Sequence, residues 1–458
     1  ARCGVASEFG AVATRVRPSV PMSELRDDHT GPFDPDWTVE RLTRAGLARL
    51  CREYQMLSMF HDRALMPHVA AVGGMEASVT LADGEWMGSS PIYTRRNLAN
   101  VGATGDTVAT IAKGIQLDIG GPDHFLDFRF EIVSDTEAFF WTEFCGPHDH
   151  LFRMSGNDHD TVTLMCHDME DRTFDATFSA TNPQARCEPV YRPPRPDDFT
   201  GHHCRWRLFI DDEVAGTPPP NPSLAFMETT EAARFPFELG ESVEPGGLDD
   251  YRGPLLEWFR LEEFSHAFLA RQAKEYALDN HLLMRAAYWT IDQQWGSDVL
   301  ADAAPQHRAA LAPGLVHRLR AAMGIGGDDI DAVARILQLD PVHVPEYTAF
   351  RIEVDDDEIL VSLGDCAALH DDPRSPLGSL TATPETPGFE HMAQAVNPRA
   401  RVAPDSPPAG AVAAWRVWID PAAEPVEPHP LVEMVNLNDI TTFDLSARPA
   451  TPVTITPR

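Results

Sequence analysis

The sequence predicts an α+β fold built twice: a tandem duplication of a unit in which N-terminal helices precede an antiparallel sheet. Three observations carry this reading. Residues recur at a long, fixed offset. Apolar positions near the start of each unit recur at helical spacing. Alternating, β-branched and aromatic runs follow those helices in both halves.

The repeat is read first. Asp27-Asp28 and Gly31-Pro32 return as Asp249-Asp250 and Gly253-Pro254, 222 positions on. At the same offset Leu47-Ala48-Arg49 and Glu53-Tyr54 return as Leu269-Ala270-Arg271 and Glu275-Tyr276. Between Gly102 and Asp118 seven of 17 positions match the stretch Gly324–Asp340, where chance would supply about one. Deletions then shorten the offset. Asn182-Pro183 pairs with Asn397-Pro398, and Trp206-Arg207 with Trp415-Arg416. Two units follow, residues 1–240 and 241–458, the second degenerate and structural.

Within the first unit, Val39, Leu42, Gly46, Leu50, Tyr54 and Leu57 predict a helix over 38–60, in which Arg49 and Glu53 can pair. Its counterpart runs from about Leu255 into Tyr288. The repeated Glu-Tyr pair reads as a structural helix contact. Gly-Asp starts a second helix at Asp106–Leu117 and again at Asp328–Leu339. Strands are expected at Leu126–Val133, Ala138–Phe144, Thr161–Cys166 and His203–Ile210, with a short helix at Glu170–Ser179. The second unit offers strands at Ala349–Val354, Glu358–Leu363 and Val412–Ile419. The acidic run Asp355–Glu358 reads as a solvated hairpin turn, because it lacks calcium-loop spacing.

Composition excludes some functions. The 458 residues carry 37 basic and 70 acidic side chains, a net −33. Such a field repels phosphate backbones and anionic lipid, so neither nucleic acid nor a membrane surface is an expected partner. No run approaches the length of a membrane span. Seven sparse cysteines do not form a secreted disulfide pattern, and no apolar signal core is visible near the start, so a cytoplasmic location is expected.

Chemistry concentrates in one window. Four of the seven cysteines and six of the 18 histidines lie between Cys145 and Cys204. Opposite Cys166, His167 and Asp168 the second half has Thr381, Ala382 and Thr383, and opposite His203 and Cys204 it has Val412 and Ala413. Glu170, Cys145 and His148 keep counterparts in Glu385, Cys366 and His370. The first half is therefore the expected active half. Cys145, His148, His150, His203 and Cys204 form a donor set suited to a transition metal, zinc or iron. Cys166, His167, Asp168 and Glu170 supply nucleophile and proton transfer. The metal-free version uses Cys166 or Cys204 as nucleophile, with His167, His203 or His148 as base. Packed, inert strand cysteines are the competing reading. On the first helix His61, Asp62 and His68 form a further candidate, read mainly as partly exposed helix residues.

The order of these motifs resembles a known family. Cys145 after a strand pair, Cys166 before a helix leading to Asn182-Pro183, and Cys204-Arg-Trp-Arg-Leu-Phe closing the unit are similar to the L-2-amino-thiazoline-4-carboxylate hydrolase-like family, and more distantly to vinyl-reductase-like small-molecule-binding domains. The resemblance covers about 40–210 and 260–420. It departs at Cys145-Gly-Pro and in the missing closing cysteine of the second half. It implies a hydrolase or a small-molecule-binding module, with Cys145, Cys166 and Cys204 as the positions carried over. The expected function is hydrolysis of a C–N or C–S bond in a small molecule. A non-catalytic sensor or carrier for a metal or small ligand is the alternative. A homo-oligomer stays open, since two halves in one chain can supply the twofold contact internally.

Overall fold

A computed structural model describes residues 22–155, 158–196, 199–213, 221–343, 345–371 and 388–446. The duplication is visible element by element. In the first half α1 (Arg44–Gly73), α2 (Met75–Asn100) and α3 (Val108–Gln116) precede β1 (Leu126–Ile132) and β2 (Glu137–Cys145). Then come α4 (Gly146–Ser155), α5 (His159–Thr163), a π-helical turn over Leu164–Met169, and α6 (Glu170–Ser179). The strands β3 (Ala185–Tyr191) and β4 (Cys204–Ile210) and the short helices α7 (Pro222–Met227) and α8 (Glu231–Arg234) complete it. The second half repeats the plan with α9 (His266–Trp295), α10 (Ser297–Met323), α11 (Ile330–Leu339), α12 (Pro345–Thr348), β5 (Phe350–Asp355) and β6 (Glu358–Gly364). It ends with α13 (Glu390–Val396), β7 (Ala400–Asp405), β8 (Ala411–Ile419) and α14 (Val432–Val435). The sheets have the same order, β1-β2-β4-β3 and β5-β6-β8-β7, and every pairing is antiparallel.

Hydroxyl caps start the matching helices in both halves. Thr43 caps α1 through the Gly46 amide, and Ser265 caps α9 through that of Phe268. The Asn-Pro pairs also have one job in each half. Asn182 Nδ2 donates to the Asp106 carbonyl at 2.9 Å, and Asn397 Nδ2 to that of Asp328 at 2.8 Å. Trp206 against Phe174, and Trp415 against Phe389, are edge-to-face contacts at 5.2 and 5.5 Å. The acidic run is the two-residue turn of the β5–β6 hairpin, with Asp355 opposite Glu358 and Asp356 at φ 51°.

The halves share one core of long helices, α1, α2, α9 and α10, and exchange contacts across it. Arg96 on α2 pairs with Glu275 on α9 at 2.7 Å. Its twofold equivalent, Arg318 on α10, pairs with Glu53 on α1. The remaining guanidinium hydrogens of Arg96 cap the Ala233 and Phe235 carbonyls, and those of Arg318 cap Ile440 and Phe443. Glu53 is therefore paired across the halves and not with Arg49, which caps the backbone of Asp27 and Ala322. The terminal segment of each half thus lies on the other half. Phe235 meets Tyr347, and Phe443 meets Phe125 and Phe144.

Three expectations are corrected. Thr161–Cys166 is helical and not a strand. Asp158 accepts the Thr161 amide at 2.9 Å and starts α5, which runs through the π turn into α6. Second, α1 runs past its expected end to Gly73, α9 lies later than expected, over His266–Trp295, and the two are followed by α2 and α10, which the sequence concealed. Those helices contain Pro91, Pro305 and Pro313 and are buried on more than one face, so neither a clean polar stripe nor a proline-free run marks them. Third, β3 and β7 contain Pro189 and Pro404, which argue against a central strand. Both are edge strands, where a missing N–H is tolerated. Among the described residues no helix is long and apolar enough to cross a membrane.

Candidate functional site

The turn Asp118–Gly121, the π turn and the helices α1, α2, α4 and α6 enclose a cavity of about 410 Å³ in the first half. Its wall is mainly apolar and rich in methionine: Met59, Met66, Met75, Met154, Met165, Met169 and, from the second half, Met434. Met75 and Met154 are also solvent-exposed and so stand at the mouth. The flexible thioether suits irregular, adaptable apolar contact. A π turn interrupting α5–α6 swings Leu164, Met165 and Met169 into the wall. Gly121 leaves the floor open, since a Cβ there would come within 3.3 Å of the Phe128 ring.

Six ionisable residues line this apolar space: Asp62, Arg63, Tyr93, Asp118, His150 and Glu170. Burial pushes Asp62 up to about 7, even though it accepts the Trp86 indole N–H at 3.3 Å. Behind it Glu85 is wholly buried and pushed well up by burial and by the Asp62 carboxyl beside it. Asp118 is raised to about 6 by burial, partly offset by the Gly120 amide that it accepts at 2.6 Å and by Tyr93. Glu170 is raised to about 7 by burial, with Arg192 opposing. Burial lowers His150 to about 3, so it stands neutral. Arg63 is drawn down to about 9 by burial and donates to the Val435 and Leu437 carbonyls at 3.0 Å. Carboxyls held near neutrality in an apolar cleft are suited to donate and accept protons at pH 7.

The residues expected from sequence divide into three groups around this cavity. Glu170 and His150 line it. Cys145, Cys166 and Cys204 do not, but all three lie within the electrostatic reach of Glu170. Each is buried, and burial pushes each thiol upward, Cys204 to about 11 and the other two further. Cys204 Sγ sits 3.1 Å from Thr142 Oγ1. These thiols are neutral at pH 7 and poorly set up as nucleophiles. His148 and His203 hold their rings 4.6 Å apart, edge to face, both shifted down by burial. His167 is engaged with the Pro193 carbonyl at 2.9 Å, and Asp168 faces solvent. The donor set Cys145, His148, His150, His203 and Cys204 does not converge as a ligand shell. Among the described residues no group of three or more His, Cys, Asp and Glu side chains is arranged to hold a metal ion.

Of the first-helix candidates, only Asp62 faces the cavity. His61 is fully buried with its Nδ1 3.0 Å from His307 Nε2, and His68 is half-buried. The residues missed by sequence reasoning are Arg63, Glu85, Trp86, Asp118 and Gly121. A signal was available, because the offset of 222 places Glu85 opposite His307, Trp86 opposite Arg308 and Gly121 opposite His343. The counterparts Thr381, Ala382, Thr383 and Glu385 lie outside the described residues.

Comparison with family models, with curated proteins and with solved structures finds no match to this chain.

Proposed function

We propose that the first half holds a mainly apolar small molecule in this cavity and acts on it by proton transfer through a buried carboxyl, Glu170. One observation supports this reading above the others. An open apolar cavity in the first half carries carboxyls poised near pH 7, while the described counterparts of Asp62, Glu85, Trp86 and Gly121 in the second half are Met284, His307, Arg308 and His343. In hydrolysis, water adds across a C–N or C–S bond. Glu170, protonated at the start, gives its proton to the leaving nitrogen or sulfur and takes one back from the attacking water. The buried thiols beside it then act as walls that keep its environment dry and its proton bound.

Two measurements test this. Gly121→His, which copies the second half, is expected to weaken binding of the neutral dye Nile red by about tenfold or more through loss of cavity volume. Unchanged binding would sink the cavity as the site. A panel of cyclic and acyclic C–N and C–S compounds, 2-amino-thiazoline-4-carboxylate included, is followed by mass spectrometry for gain of water. Glu170→Gln is expected to lower turnover by about 100-fold or more while dye binding persists. The neutral, buried thiols favour a second reading, a small-molecule carrier. A panel without turnover, on protein that still binds the dye, would select it.

A further inference from the structure

The Asp62–Glu85 pair takes no part in the proton transfer assigned to Glu170. Asp62 on α1 and Glu85 on α2 face each other across the helix pair. Apart from the hydrogen that the two carboxyls share, neither Glu85 oxygen meets a protein donor, and Asp62 also accepts the Trp86 indole. Ser78, two turns before Glu85 on α2, lines the cavity at 2% exposure with its hydroxyl unpartnered. The second half shows what an empty role looks like. There Asp62, Glu85 and Ser78 are replaced by Met284, His307 and Leu300, two of them apolar. Two facing carboxyls in an apolar wall, opposed by the single charge of Arg63, are destabilising, so a cationic partner supplied from outside would relieve them.

The charged groups facing the space point to the sign of that partner. Among the described residues Arg63 is the one guanidinium in the wall; its Nη1 donates to the Val435 and Leu437 carbonyls, and its buried Nη2 has no partner. Against it stand Asp62, Asp118 and Glu170 in the wall, with Glu85 behind, and His150 is neutral. The Trp86 ring, also in the wall, offers a face to a cation. We propose that the ligand is a lipophilic amine, its ammonium on Asp62 with Glu85 behind, its apolar body along the methionines. This deepens the cavity reading above and rests on it.

Decylamine, decanol and decanoate test it as competitors of Nile red at pH 7.5. A charge-assisted hydrogen bond in a dry site predicts that decylamine binds about tenfold or more tightly than decanol, with decanoate weakest. Asp62→Asn, which keeps shape, should bring the amine to within about twofold of the alcohol and leave the alcohol unchanged, and Glu85→Gln should weaken the amine about threefold. Melting curves of both variants report that they fold. An amine preference that survives Asp62→Asn, or decanoate displacing as well as decylamine, overturns the inference. If decanol displaces and decylamine is no better, this inference falls and the cavity stands. If the dye itself does not bind, both fall.

Discussion

Asp118 and Asp340 are the same aspartate in the two halves, and they behave oppositely. Each follows the matching helix and accepts the amide two residues on, Gly120 in one half and Val342 in the other. Beside Asp118 stands Trp86, and burial raises the carboxyl to about 6. At the position of Trp86 the second half has Arg308, which bonds Asp340 at 2.7 Å. Burial pushes Asp340 up, but Arg308, His343 and the Val342 amide together outweigh it and hold the carboxyl below its usual range. Where the first half has Gly121, the His343 ring lies tilted against Phe350 at 4.1 Å and contacts the Leu337 carbonyl at 2.7 Å. One backbone thus carries a cavity with restless carboxyls on one side and a plugged, ion-paired floor on the other. Around this shared aspartate the difference lies in side chains, while the stretch opposite α5 and the π turn is shortened and lies outside the described residues.

The frame should respond symmetrically. Arg96→Ala and Arg318→Ala each strand a buried glutamate, and each is expected to cost about 3–5 kcal/mol in urea denaturation. A gap between them of more than about 2 kcal/mol would break the equivalence of the halves. The plug comes next. His343→Gly should lose about 2–4 kcal/mol through the emptied volume and the unpartnered Leu337 carbonyl, and should add a second dye site to the protein. Stability and dye stoichiometry both unchanged would show that His343 is not what closes this half.

A smaller effect distinguishes the acid pair. Asp62 is raised in the folded state to about 7. Below about pH 4 the folded and unfolded chains both hold the proton. As pH rises from there toward 7 the unfolded chain releases it first, so stability falls, and above 7 the full penalty is present. Glu85→Gln should therefore stabilise the protein by about 1–3 kcal/mol at pH 8 and by little at pH 4. A pH-independent change would assign the effect to packing. The least change is expected at the thiols. Cys145, Cys166 and Cys204 should react with iodoacetamide at pH 7.5 about 100-fold more slowly than in urea. A fast native thiol would restore the nucleophile reading.

Much of the frame was legible because identities at a fixed offset report common ancestry directly. The Asp106 and Asp328 helices, both hairpins and the Asn-Pro turns were all marked in that way. Runs whose pattern conflicts with their setting were not. Thr161-Val-Thr-Leu-Met-Cys166 is β-branched and alternating, yet the cap at Asp158 and packing onto α2 make it helical. At the site, chemistry was sought where soft ligands cluster, and of those residues Glu170 and His150 reach the cavity. Asp62 stood out only beside His61 and His68, and Glu85 and Asp118 look ordinary in sequence, since their character comes from burial, which a single position does not display.

The exchanged segments carry a consequence for how the two copies depend on each other. Met434 closes part of the cavity wall, Val435 and Leu437 hold Arg63, and Asn438 Nδ2 donates to the Gly146 carbonyl. All of these residues belong to the second repeat unit. A first half without that unit lacks the carbonyls that engage Arg63 and a part of the cavity wall. The second copy is thus a piece of the container as well as a scaffold.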